Sequence, residues 1–96
     1  MDIEKKVNGE DFVVAISGRL DTATAPKLEE SLLADITKMR TLTLDCEKLE
    51  YISSAGLRVL LSMQKRMKDG MKLKNVCELV MEVFEMTGFA DILTIE

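Results

Sequence analysis

The sequence predicts an α/β fold: one small domain with a mostly parallel sheet, an antiparallel hairpin strand at the N-terminus, and helices mainly on one face. Three observations predict it. Asn8-Gly9 stands between two strand-like runs and marks a tight hairpin. Beyond it, short apolar runs alternate with longer segments of helical periodicity, the pattern of strand–helix–strand crossovers. The third and fourth expected strands carry polar residues at alternate positions, Thr41 and Thr43, then Lys72 and Lys74. A sheet covered by helices on both faces would not alternate so cleanly.

Taken in order, the first strand is expected over about Ile3 to Val7 and the second over about Asp11 to Ser17. Asn8 and Gly9 both tolerate positive φ, which a type I′ turn between them requires. Phe12-Val13-Val14-Ala15-Ile16 is continuously apolar, so the second strand reads as central and covered on both faces. The run Ser17-Gly18-Arg19-Leu20-Asp21-Thr22-Ala23-Thr24 then turns into a first helix, with Thr24 as N-cap and Pro26 in the first turn. Ala25, Leu28, Leu32, Leu33 and Ile36 recur at helical spacing. In the third strand, Thr41 to Leu44, Leu42 and Leu44 point one way and the threonines the other. A second helix is expected from Ser54 to Lys68, with Leu57, Leu60, Leu61, Gln64, Met67 and Lys68 on one mostly apolar stripe, ended by Asp69-Gly70. Strand four follows over Met71 to Val76. A third helix spans Glu78 to Thr87, with Leu79, Val80, Val83 and Phe84 inward and Gly88 as its stop. A last short strand is expected over Ile92 to Ile95. Right-handed crossovers make the strands after the hairpin parallel.

Residues 1–96 form one domain, and a chain of 96 residues leaves little over for an elaborate active-site cavity. A net charge of −4 argues against nucleic acid as a partner, because phosphate contacts need clustered cations. Lys65-Arg66-Met67-Lys68 reads as the solvated face of a helix. No apolar run approaches the ~20 residues that span a bilayer, and the charged N-terminus lacks a signal-peptide core. No membrane partner and cytoplasmic residence are the expectations. There is no histidine, which removes Ser-His and Cys-His nucleophile pairs and most zinc sites. No phosphate-binding loop appears, so neither cofactor nor metal is expected. Cys46 and Cys77 each flank a strand and form no paired motif, the pattern of buried free thiols, although spacing alone leaves a disulfide open. An enzyme reading would rest on these thiols, and neither has a histidine or an activating group.

The carboxyl ends of the strands and the starts of the helices should share one rim, where open α/β sheets usually place their sites. That rim gathers Ser17, Gly18, Arg19 and Asp21 after strand two, and Asp45 with the Ser53-Ser54 pair after strand three. A serine at a helix start is commonly an N-cap, worth ~1 kcal/mol over alanine. Asp21 could likewise serve only the dipole of the first helix. A hydroxyl in that position also faces unpaired N–H groups and the positive helix end, where a phosphate is well accommodated. Spacing alone leaves both readings standing.

The residues carry a resemblance. Asp45 through Leu61, with Gly18-Arg19-Leu20-Asp21 upstream, resembles the STAS domain of bacterial anti-sigma factor antagonists. That family ends its third strand in an acidic residue, then shows a hydrophobic pair, an Asp-Ser-Ser or Asp-Ser-Thr, and Gly-Leu opening a helix. The tail Val83 to Phe89 resembles the family's closing helix. The resemblance implies a non-enzymatic, phosphorylation-switched binding module. When unphosphorylated it binds an anti-sigma factor that is also a serine kinase, and so frees the sigma factor. A metal-dependent serine phosphatase reverses the modification. Aligned on Gly56-Leu57, the phosphoacceptor is Ser54, with Ser53 as the alternative. Ser53 stands where the family has Asp, and Ala55 where it has Ser or Thr. The partner-binding residues implied are Gly18, Arg19, Asp21, Ser53, Gly56 and Leu57, with Leu57 buried against the partner. The alternative is a non-phosphorylated STAS scaffold subunit of a larger signalling or transport assembly.

Overall fold

The computed structural model describes all 96 residues. Four strands, β1 (Asp2–Asn8), β2 (Asp11–Leu20), β3 (Thr41–Ile52) and β4 (Met71–Lys74), form one sheet in chain order. β1 is antiparallel to β2; the β2-β3 and β3-β4 pairs are parallel. The helices are α1 (Ala25–Ala34), α2 (Ser54–Met67) and α3 (Glu78–Thr87). None is long and apolar enough to cross a membrane.

One core lies between the sheet and its helix layer. Phe12, Val14 and Ile16 of β2, Leu42, Leu44 and Cys46 of β3, and Met71 and Leu73 of β4 are all buried. They meet Leu28 and Leu32 of α1, Leu60 and Met63 of α2, and Val80 and Phe84 of α3 in a single cluster. Val13 and Ala15, on the other face of β2, are only half-buried. The expectation that β2 is covered on both faces is therefore corrected. Its unbroken apolar run reflects a central position, flanked by β1 and β3, and not a second helix layer.

Several boundaries move for identifiable reasons. Asn8 pairs with Asp11, so the hairpin turn is Gly9-Glu10, and only Gly9 has positive φ, at +66°. That is the type II′ signature, with glycine at the first central position, where type I′ was expected. β3 runs on to Ile52 where its alternation suggested an end at Leu44. Its register against β2 slips between Ala15 and Ser17 and again between Gly18 and Arg19, each time with an extra residue on β3. Buried positions change spacing there, from Leu42, Leu44 and Cys46 to Leu49 and Ile52. Two β-bulges thus hide the second half of the strand from a period-two reading. α1 stops at Ala34, and Ile36 lies half-buried in a short 3₁₀ turn. The apolar stripe of α2 includes Val59 and Met63, while Lys68 is exposed. The positive-φ residue after α2 is Lys68, at φ +52° and ψ −119°, not Gly70. Gly70 is needed instead because a Cβ there would lie 2.7 Å from the Arg40 carbonyl oxygen. Leu79 of α3 is 55% exposed and not a core residue. β4 ends at Lys74, and the last expected strand is a single bridge between Leu73 and Ile95.

Polar clips tie the elements at their ends. Asp11 accepts from the Thr41 hydroxyl at 2.6 Å and from Arg40 at 3.0 Å, joining the starts of β2 and β3. Asp35 accepts from Lys5 at 2.7 Å, joining α1 to β1. Asp45, well inside β3, accepts from the Asn75 amide at 3.0 Å. Glu96 pairs with Lys72 at 2.9 Å. These hydrogen bonds favour the ionised forms: Thr41 foremost holds Asp11 below the usual carboxylate range, Lys5 holds Asp35, Asn75 holds Asp45 and Lys72 holds Glu96.

Two predictions follow from this packing. A Cβ on Gly56 would fall 2.7 Å from Leu20 Cγ and 2.8 Å from Ile52 Cγ1, inner carbons of buried side chains. Gly56→Ala gains ~1 kcal/mol of helix propensity but incurs roughly 1–3 kcal/mol of overpacking. The net expectation is a lower urea midpoint at unchanged m-value. The depressed carboxylates fix the sign of the pH dependence. Unfolded carboxylates bind protons first as pH falls, so this contribution is complete above their unfolded pKa values, near 4. It is lost as pH drops through the lower folded values, and urea midpoints should decline there.

Candidate functional site

β2 and β3 run past both of their neighbours and end side by side, with Arg19 opposite Tyr51 and Leu20 opposite Ile52. α2 begins directly from this shared end. The Ser53 N–H donates to the Leu20 carbonyl at 2.9 Å, which fixes the start of α2 to the end of β2. Gly56 lets the first helical turn lie against Leu20 and Ile52 without a side chain between. The rim therefore owes its shape to backbone packed closely on buried carbon.

Asp21 organises the loop on its other side. Its Oδ1 accepts from the N–H groups of Ala23 at 3.0 Å and Thr24 at 3.1 Å. The Thr24 hydroxyl accepts from the Asp21 N–H at 2.8 Å and donates to the Arg19 carbonyl at 2.7 Å. Thr24 occupies the N-cap position of α1, yet its hydroxyl bonds back into this loop and caps nothing, which corrects the expected cap. The Thr24 N–H foremost, then that of Ala23, lowers the Asp21 carboxyl below its ordinary range against the opposing effect of burial. The Arg19 guanidinium stacks 4.0 Å from the centroid of the Tyr51 ring. Gly18 adopts φ +93° at the second register slip, a conformation that disfavours any side chain.

The two serines differ sharply. Ser53 is the N-cap residue of α2 by backbone, with φ −105° and ψ 177°, but its side chain makes no capping bond. Its Oγ is buried without a hydrogen-bond partner. Ser54, the first residue of the helix, is exposed. The first turn holds no acidic residue, so no carboxylate offsets the helix dipole there. Arg58 is exposed one turn further along the same face.

Of the residues expected to meet a partner, Arg19 is exposed, and Gly18, Asp21 and Ser53 are half-buried on the rim. Gly56 and Leu57 are corrected. Both are buried, Leu57 at 6% exposure within the core, so their side of the helix faces Leu20 and Ile52 and offers little to a partner. Asp45 is not on the rim either; it lies mid-strand, bonded to Asn75. Tyr51, Thr24 and Arg58 are rim or near-rim residues that the sequence reading missed. Tyr51 reaches Arg19 only through the bulged register, which no local pattern signals. Arg58 could have been found from its spacing to Ser54.

Of the two thiols, Cys46 is buried and Cys77 half-buried. Both cysteines are free. Burial foremost, with the nearby Asp45 charge, pushes the Cys46 thiol up to about 12, far from a thiolate nucleophile at neutral pH.

Known proteins are similar to this chain in sequence and in fold. BtrV of Bordetella bronchiseptica, a candidate anti-sigma factor antagonist, is 40% identical over 85 residues, spanning 84% of this chain and 73% of its own. The anti-sigma-B factor antagonist of Bacillus subtilis is 31% identical over 98 residues, spanning 99% of this chain and 90% of its own. An anti-sigma factor antagonist from Mycobacterium paratuberculosis superposes with a TM-score of 0.87 at 22% identity, over 98% of this chain and 83% of its own. The STAS domain profile matches residues 2–96, and with it the exposed serine, the glycine beneath it and the Asp21 loop fall into a known frame: this chain belongs to the STAS domain family.

Proposed function

We propose that this chain is an anti-sigma factor antagonist whose rim binds an anti-sigma factor with serine kinase activity, in the cytoplasm, and that phosphate on Ser54 turns binding off. One observation carries the reading: Ser54 is exposed at a helix start with no side-chain cap and no acid in its first turn, while the neighbouring Ser53 hydroxyl is buried. A kinase can reach the first oxygen and not the second. The names of the relatives support the same role, since those 40% and 31% identical to this chain are named as anti-sigma factor antagonists, the first as a candidate. SpoIIAA, which shares the fold at TM-scores of 0.77 and 0.76, is known in unphosphorylated and phosphorylated forms.

The switch is electrostatic and steric. In the free domain a dianion on Ser54 gains from the positive helix end and from Arg58 one turn away. Docking strips that dianion of water and presses it against a surface shaped for a neutral hydroxyl. Arg19, stacked on Tyr51 and close to Asp21, is the exposed anchor of the rim, and arginine and tyrosine are residue types that concentrate binding energy. A metal-dependent serine phosphatase would reset the switch, reaching the same exposed oxygen.

Three outcomes are expected with the cognate anti-sigma factor and ATP. Intact-mass analysis should find one phosphate on the parent and on Ser53→Ala, and none on Ser54→Ala. Ser54→Asp should bind the anti-sigma factor more than about a hundredfold less tightly by calorimetry, a loss near 3 kcal/mol. Equal affinity for the parent and Ser54→Asp would end the proposal. Ser53→Ala should also leave the urea midpoint nearly unchanged, within ~0.5 kcal/mol, because the lost hydroxyl caps nothing; a true cap would cost ~1 kcal/mol.

A further inference from the structure

β1 is an edge strand with nothing along its outer side. It pairs only with β2, Asn8 opposite Asp11 through to Asp2 opposite Ser17. The turn bond of a two-residue hairpin joins the residues that flank it, here Asn8 and Asp11. In an antiparallel ladder the peptide groups then alternate, so Asp2, Glu4, Lys6 and Asn8 face β2. The N–H and C=O groups of Ile3, Lys5 and Val7 point outward. No loop, turn or side chain bonds to them.

Such an edge is a template for another strand, and proteins usually blunt it with charge. β1 has charges, but they are arranged to match a copy of themselves. Lys5 is drawn onto α1, where its Nζ donates to Asp35 at 2.7 Å and to the Ser31 carbonyl at 2.8 Å. Glu4 and Lys6 stand symmetrically about it with opposite signs, on the face of the sheet away from the helices. Val7, on the helix side opposite Phe12, is 57% exposed.

We propose that β1 pairs antiparallel with β1 of a second copy of this chain, about a two-fold axis through Lys5, joining the two sheets into one. Lys5 then faces its own copy, Ile3 faces Val7, and Glu4 faces Lys6. Every outward N–H and C=O finds a partner. The Glu4–Lys6 pairs fall at the positions without ladder hydrogen bonds, where opposed side chains come closest. Charge selects this register. Sliding the copies to the next register with the same hydrogen bonding sets Glu4 against Glu4 in one direction and Lys6 against Lys6 in the other. A parallel in-register pairing stacks both like pairs at once. The two-fold axis runs through the sheet, so the Ser54 rims of the two copies lie at opposite ends and both remain open. The inference does not depend on what the rim binds.

Sedimentation velocity on the full chain, across concentrations up to about 1 mM, tests it. A monomer–dimer equilibrium is expected, with amide exchange at Ile3, Lys5 and Val7 slowing as concentration rises. Glu4→Lys and Lys6→Glu should each weaken dimerisation at least about tenfold, ~1.4 kcal/mol, and the double variant should return it to within about threefold of the parent. Val7→Pro, which removes an outward N–H and spares the β2 ladder, should abolish it while thermal unfolding stays cooperative. A chain that stays monomeric throughout, or a dimer indifferent to the single charge reversals, overturns the proposal.

Discussion

The close approach of the first turn of α2 to the ends of β2 and β3 is the constraint on which the rest depends. Gly56 sits where any side chain would overlap Leu20 and Ile52, and the Ser53 N–H bonds to the Leu20 carbonyl. Together they set the height and angle at which the helix leaves the sheet. Leu57 enters the core from that turn, and Leu60 and Met63 follow it one and two turns later. Move the helix out by the width of a methyl group and those side chains lose their partners in β3 and β4. The same approach lifts Ser54 clear of the sheet and leaves it in solvent. Exposure of the serine and burial of the leucine are two consequences of one glycine.

The rim is polar, but its two sides satisfy their backbone groups differently. Beside β2, the Asp21 carboxylate and the Thr24 hydroxyl account for the N–H groups of Asp21, Ala23 and Thr24 and for the Arg19 carbonyl. At the start of α2 the only side chain placed to cap is turned inward and unbonded. The first-turn N–H groups there are left to water or to whatever docks. A helix end that declines its own cap keeps its partial positive charge available. The carboxylate already committed next door, held ionised by backbone N–H groups, cannot swing across to neutralise it. The site thus combines a fixed negative group with an unspent positive one, and under the proposed reading that pair would tell a neutral serine from an anionic one.

Much of this was legible before any coordinates. The helices, the single helix-covered face and the order of elements follow from periodicity, because α1, α2 and α3 each bury one stripe and β4 alternates strictly. What failed did so where two rules overlapped. β3 was cut short because its bulges turn a period of two into a period near three, and Cys46, Leu49 and Ile52 then mimic a helical stripe. The resemblance implies Leu57 as a partner contact while its helical stripe with Leu60 points it inward, and the structure follows the stripe. Position leaves the serine pair open between capping and modification, because it fixes the backbone of Ser53 but not the χ1 that aims its oxygen. The Arg19–Tyr51 stack depends on register across two strands and was out of reach of a local reading.

The replacement of the family's acidic residue by Ser53 acquires a physical meaning from this geometry. A carboxylate at that N-cap would accept from the first-turn N–H groups and cancel part of the helix field beside Ser54. With serine there, and its hydroxyl tucked under the chain, the field reaches Ser54 undiminished. Under the proposed reading, phosphate on Ser54 would then satisfy the helix start while presenting its charge outward. On that reading the free, modified domain would gain and the docked one would lose, so both effects would push the equilibrium toward release. The core beneath, sealed by Leu20, Ile52 and Leu57, would have no part in the exchange, so such a switch would act on the surface without disturbing the fold.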